Sequence, residues 1–196
     1  MLRVWIGLAA ALCCAAASAQ PLSRPGVDAP VLARLGPHGV GLRTVTLTDR
    51  SQPGGAERAL PLDIWYPAVV RSGARPVTYS DTLPSEPPRK PAAFTVEGLA
   101  VRGAAPVAGR FPLVILSHGY SGTPAAMTWL TENLASKGYV VAAIHHRDPD
   151  ISDLSKAGQP LLRRPLDISF VARTLIAQAR DGSLTGVDPD RVAVVG

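Results

Sequence analysis

Three apolar runs in the C-terminal half constrain this chain more than any other feature. Leu113–Ser117 (LVILS), Tyr139–Ile144 (YVVAAI) and Val192–Val195 (VAVV) lack the polar–apolar alternation of a half-exposed strand. Continuous runs of this length are expected of strands covered on both faces. Between them lie two stretches with helical spacing. In the first, Thr123 offers an N-cap and Pro124 an N1 residue, Met127, Leu130 and Leu134 recur at i, i+3 and i+7, and Lys137-Gly138 closes the last turn. In the second, Pro165 opens the helix, Ile168, Val171, Leu175 and Ile176 form its stripe, and Asp181-Gly182 ends it. Val187-Asp188-Pro189-Asp190 reads as a turn. The order strand, helix, strand, helix, strand implies a parallel α/β arrangement over residues 112–196. Its strands are expected near 113–118, 139–144 and 191–195, its helices near 124–137 and 165–180.

The N-terminal half reads differently. Val40, Leu42, Val45 and Leu47 alternate with polar residues, Ser51-Gln52-Pro53-Gly54-Gly55 signals a turn, and Leu60–Tyr66 (LPLDIWY) follows. Residues 39–70 are thus expected to form an antiparallel strand pair. Residues 71–111 are Pro-rich and aperiodic, the mark of a long surface excursion. Met1–Ala19 has the layout of a secretory signal peptide: Arg3, then an apolar run from Val4 to Ala16, then Ala17-Ser18-Ala19. That apolar run is shorter than the roughly 20 residues a spanning helix needs. The expectation is a secreted or periplasmic protein whose domain begins after Ala19 and opens, over residues 20–38, with an irregular lead-in.

Composition removes several function classes. With 46% hydrophobic and 18% charged residues among 196, the chain can build a core. Its only cysteines, Cys13 and Cys14, adjoin each other in the leader, so no disulfide framework is present. The net charge of +5 comes from arginines scattered along the chain, not from the clustered stripe that nucleic acid requires. His146-Arg147-Asp148 spells a kinase catalytic triplet without its companion motifs. Asp148, Asp150 and Asp153 fail the EF-hand spacing and read as a solvated acidic loop.

The chemistry is expected at strand ends. Arg191–Val195 runs into Gly196, the approach to a G-x-S-x-G nucleophile elbow, of which only the first glycine is present. His118-Gly119-Tyr120-Ser121-Gly122 follows the strand at 113–117 and can offer the Tyr120 N–H to a developing oxyanion. A plain glycine turn between strand and helix remains the bland alternative. Ser121 sits one residue short of elbow spacing and is a minor candidate nucleophile. If the serine instead follows Gly196, the chain order of such hydrolases removes His38, His118, His145 and His146 from the triad.

Leu62–Pro67 (LDIWYP), Phe111–Gly119 (FPLVILSHG), Leu134–Asp148 (LASKGYVVAAIHHRD), Arg164–Val171 (RPLDISFV) and Asp188–Gly196 (DPDRVAVVG) resemble successive blocks of the platelet-activating-factor acetylhydrolase group and its dienelactone-hydrolase-like relatives. The glycine loop is also similar to that of cutinase-like polyesterases. The resemblance implies an α/β-hydrolase fold, broken off after the fifth strand at the elbow. It implies a serine esterase acting on a small-molecule or lipid ester through a Ser-Asp-His triad, with no metal or organic cofactor. The triad residues are expected beyond Gly196, so the chain as given is expected to be inactive. A non-catalytic α/β protein holding an anion at the strand–helix turn is the competing class.

Overall fold

The computed structural model describes residues 31–51, 56–85, 88–149, 153–156 and 158–196. The expected leader, both cysteines, most of the Ser51–Gly55 turn and Asp150 lie outside the described residues.

The first two strands are β1 (Gly39–Asp49) and β2 (Arg58–Val69), antiparallel and in register from Gly39 opposite Ala68 to Asp49 opposite Arg58. The Pro-rich stretch is more regular than its sequence suggests. It carries a hairpin of β3 (Thr78–Leu83) and β4 (Ala92–Glu97), then two short strands, β5 (Val101–Arg102) and β6 (Ala105–Pro106), that join the main sheet. Proline is tolerated there because hairpin and edge positions leave backbone N–H groups outside the ladder. Next come β7 (Phe111–Ser117), a 3-10 turn at Pro124–Met127, α1 (Thr128–Ser136), β8 (Val140–Ile144), α2 (Gln159–Arg180) and β9 (Val187–Val195).

The main sheet has seven strands in the order β5-β1-β2-β8-β7-β9, with β6 paired to β2. β8, β7 and β9 run parallel, and β2 meets β8 antiparallel. β7 therefore lies between two parallel neighbours, and Leu113, Val114, Ile115 and Leu116 are all buried. Its alternate side chains serve two cores. Leu113 and Ile115 join Leu62, Ala142, Val171 and Leu175 under α2, while Val114 and Leu116 join Trp65, Val141 and Ala135 under α1. A strand with a core on each face has no solvent side, hence the unbroken apolar run.

Two element boundaries depart from expectation. α2 begins at Gln159, six positions before Pro165, which sits inside the helix. Pro160 occupies the first turn, where the missing N–H costs nothing, and takes the opening role assigned to Pro165. The turn expected at 187–190 is the start of β9, broken by a register shift. Asp188 pairs with Pro112 and Val192 with Leu113, so Pro189, Asp190 and Arg191 bulge out between them.

The buried face of α1 is polar: Thr128, Thr131, Glu132 and Ser136 accompany Ala135, whereas Met127, Leu130 and Leu134 are only half-buried. The reason lies in the excursion. The Glu132 carboxylate accepts the Leu99 and Ala100 N–H groups at 2.8–2.9 Å and the Tyr79 hydroxyl at 2.8 Å. Tyr79 in turn accepts the Trp65 indole N–H at 2.8 Å. The helix thus satisfies the backbone of an otherwise weakly paired loop.

Candidate active site

The C-terminal ends of β7 and β8 present a turn, His118–Gly122, held from three directions. Gly122 N–H closes it onto the Gly119 carbonyl at 2.9 Å. Ser121 takes a left-handed φ of +54°, a conformation that a non-glycine residue keeps only when its surroundings impose it. The constraint is visible: Ser121 N–H donates to Asp148 Oδ2 at 2.9 Å. A Cβ on Gly122 would stand 3.0 Å from the Gly119 carbonyl oxygen, so the turn closes this tightly only on glycine.

Arg164, projecting from α2, clamps the same turn. Its guanidinium donates to the His118 carbonyl, to the Gly119 carbonyl at 3.0 Å, and to both Asp148 oxygens, Nε–Oδ1 at 3.1 Å. Asp148, expected in a solvated acidic loop, is therefore enclosed, its side chain only 8% exposed. Burial works against its charge, but the Arg164 bonds and the Ser121 N–H outweigh that and hold the carboxyl below the usual range. Asp153 does sit in solvent, paired with Lys156 at 2.8 Å. Beyond the clamp lies a polar groove of about 420 Å3, bordered by Arg58, Arg147, Asp148 and Arg163.

With the Ser121 and Gly122 N–H groups engaged inside the turn, the Tyr120 N–H has no acceptor among the described residues. Tyr120 is 38% exposed. On the far side, Thr123 caps the following 3-10 turn through the Ala125 N–H and donates to Asp81 of the β3–β4 hairpin. The hairpin is thereby tied to the residues that leave the turn.

The four histidines separate clearly. His38 packs edge-on to Phe111 at the opposite end of β7. His145 bonds Asp63 at 2.8 Å. His118 is buried, bonds the Gly119 carbonyl through Nδ1 at 2.8 Å and accepts the His146 N–H on Nε2 at 3.4 Å. Burial, above all, pushes its pKa down, so the ring is neutral near pH 7. His146 Nε2 meets the Ser117 hydroxyl at 2.9 Å, and its Nδ1 faces Asp167 Oδ2 at 3.8 Å. Asp167 is gripped by Arg58 through two bonds of 2.6 and 2.7 Å. Ser121 meets none of these rings, and its buried Oγ has no hydrogen-bond partner among the described residues, so nothing there activates it as a nucleophile.

Arg164, Asp167, Arg58 and Ser117 carry no role in the sequence reading. One signal was available: Asp167 stands four residues before Val171, an acidic side chain on the buried stripe of a helix. A buried carboxylate demands a cation or several donors.

A family model described as platelet-activating factor acetylhydrolase, isoform II, matches residues 100–156. Among solved structures, a ferulic acid esterase from Streptomyces cinnamoneus is similar, at 27% identity and a TM-score of 0.60, over 86% of this chain and 53% of that one. The chain thus spans about half the length of that esterase. These likenesses and the sheet order agree on an α/β-hydrolase fold.

Proposed function

We propose, from the premise of that fold, that the complete protein is a serine carboxylic-ester hydrolase acting on short acyl esters, exported by the leader Met1–Ala19. The nucleophilic serine, the acid and the histidine come from residues following Gly196, and Tyr120 supplies an oxyanion donor through its backbone N–H. The observation that carries this reading is the turn His118–Gly122. Arg164 and Asp148 hold it, the Ser121 and Gly122 N–H groups are engaged within it, and the Tyr120 N–H has no acceptor among the described residues.

In the reaction, the serine hydroxyl attacks the ester carbonyl as the histidine takes its proton. Negative charge builds on the carbonyl oxygen, the Tyr120 N–H and the amide after the serine stabilise it, and the alcohol leaves with the proton the histidine returns; water, giving its proton to the histidine, then attacks the acyl-serine, releasing the acid and restoring the serine. The donors are fixed before the reaction, so no reorganisation is needed when the charge appears. The esterase likeness supports ester chemistry. The β3–β4 hairpin, tied to Thr123 and Glu132, supplies one wall of the acyl pocket. On this reading the chain ending at Gly196 does not turn over p-nitrophenyl acetate.

The test uses the product of the complete coding sequence. Tyr120→Phe keeps most of the turnover, because the donor is main chain. Tyr120→Pro deletes that donor and lowers kcat by roughly 100- to 1,000-fold. Tyr120→Ala changes the ratio of acetyl to feruloyl ester hydrolysis more than the chemical step. A folded Tyr120→Pro enzyme with wild-type kcat refutes the assignment, and serine-inhibitor-sensitive turnover by residues 1–196 alone refutes the placement of the triad.

A further inference from the structure

The contact order Ser117–His146–Asp167 mimics a hydrolytic triad, yet its placement argues for another task. The His146 side chain is 1% exposed, as is Asp167. Nε2 is bonded to the Ser117 hydroxyl, while Nδ1 is buried without a hydrogen-bond partner among the described residues and faces Asp167 Oδ2 at 3.8 Å. A general base must pass its proton to substrate, and a ring this deeply buried is badly placed to do so. What the set does touch is backbone. Ser117 is the last residue of β7, and the turn begins at the next residue. A Cβ built on Gly196 would lie 3.4 Å from the Ser117 carbonyl oxygen and 3.6 Å from its Cβ, so the ends of β7 and β9 meet at this serine. His118 packs edge-on to His146 with ring centroids 5.1 Å apart, and its Nε2 takes the His146 amide proton.

We propose that Ser117, His146, Asp167 and Arg58 form a buried positioning relay, which fixes the end of β7 from which the oxyanion turn springs; it rests on the esterase reading above. Arg58 fixes the Asp167 carboxylate in two bonds. That carboxylate favours the His146 tautomer carrying its proton on Nδ1, because a bare nitrogen lone pair there would face negative charge. Nε2 is then an acceptor only, and the Ser117 hydroxyl donates to it. The chain of polarity runs one way, from a cation on β2 through α2 and the segment after β8 to β7. The His146 and Asp167 side chains are 1% exposed, so these are positioning residues rather than catalytic ones.

Two measurements test this. In the described chain, long-range 15N–1H correlation of the imidazoles at neutral pH is expected to find His146 as the Nδ1–H tautomer; an Nε2–H tautomer or an imidazolium overturns the relay. In the complete enzyme, Ser117→Ala and Asp167→Asn are expected to lower kcat roughly 10- to 100-fold, since small misplacements of reacting groups are costly. KM stays within about twofold and the pH–rate profile keeps its shape, because no group used in the chemistry has been removed. Arg58→Lys, which keeps the charge but loses the fork, falls between. Val187→Ala destabilises the core at the opposite end of β7, away from the relay, and retains wild-type kcat, which separates positioning from general loss of stability. A fluorophosphonate is expected to label a serine other than Ser117. Label on Ser117, loss of a pH limb, or unchanged kcat in the relay variants each refutes the proposal. A wild-type enzyme inert toward every ester instead sinks the esterase reading, and the tautomer result is read independently of it.

Discussion

Replacing Arg164 by Met keeps much of the side chain's length and apolar stem but removes every bond to the turn. The wild-type guanidinium is 14% exposed and its partner Asp148 8%, so the pair is screened far less than one at the surface. Arg164→Met strands the Asp148 charge in a site built around a cation, and breaking a buried pair in this way costs about 3–5 kcal/mol. The lost bonds to the His118 and Gly119 carbonyls fall within that figure rather than adding to it, because the three acceptors share one donor group. Asp148→Asn differs. It can still accept the Ser121 N–H, and Arg164 keeps both turn carbonyls, so the loss is about 1–3 kcal/mol. The double variant carries no stranded charge and should be no less stable than Arg164→Met alone, a coupling of about 1–3 kcal/mol. Urea unfolding followed by fluorescence and circular dichroism at constant m-value measures all three. If the single losses add within about 0.5 kcal/mol in the double variant, the clamp is not a coupled unit and the reasoning fails.

The pH dependence follows from the carboxylates. Asp148 and Asp167 both lie below the ordinary value of 3.8 in the folded protein, so the stability they contribute is complete above that value and lost as pH falls through their lowered values. Asp148→Asn should flatten the acid limb of a stability–pH curve below about pH 4, a limb that stays unchanged if the ion pair is idle. His118 is depressed from 6.5; its contribution is complete above 6.5 and declines as the pH drops below it, and His118→Asn should remove that decline from thermal midpoints measured between about pH 5 and 7. Glu132→Ala orphans the Leu99 and Ala100 amides and the Tyr79 hydroxyl, with an expected loss of about 3–5 kcal/mol. Hydrogen exchange at Leu99 and Ala100 should rise in the same variant, and unaltered protection there would contradict the anchoring role.

The parallel half of the fold is legible from residues alone, because a strand buried on both faces must be apolar throughout and an amphipathic helix must show its period. Leu113–Leu116 and Val140–Ile144 meet that rule directly, whereas Val192–Val195, expected to be covered on both faces, lies on the edge strand β9 and is exposed. The excursion is not legible, since its strands are short, Pro-interrupted and stabilised by Glu132 and Asp81 contacts spanning dozens of residues. Helix start is ambiguous for a local reason: Pro160 and Pro165 satisfy the same first-turn preference, and only packing decides between them. The site divides along the same line. A turn of His, Gly, Tyr, Ser and Gly after a buried strand is recognisable in the sequence as a candidate site. Which amides are spent and which stay free depends on Arg164 and Asp148, and the partners of His146 depend on Ser117, Asp167 and Arg58. Those side chains come from separate elements, and folding alone brings them together. Burial then removes water as an alternative partner, so each charge takes the one counterpart within reach.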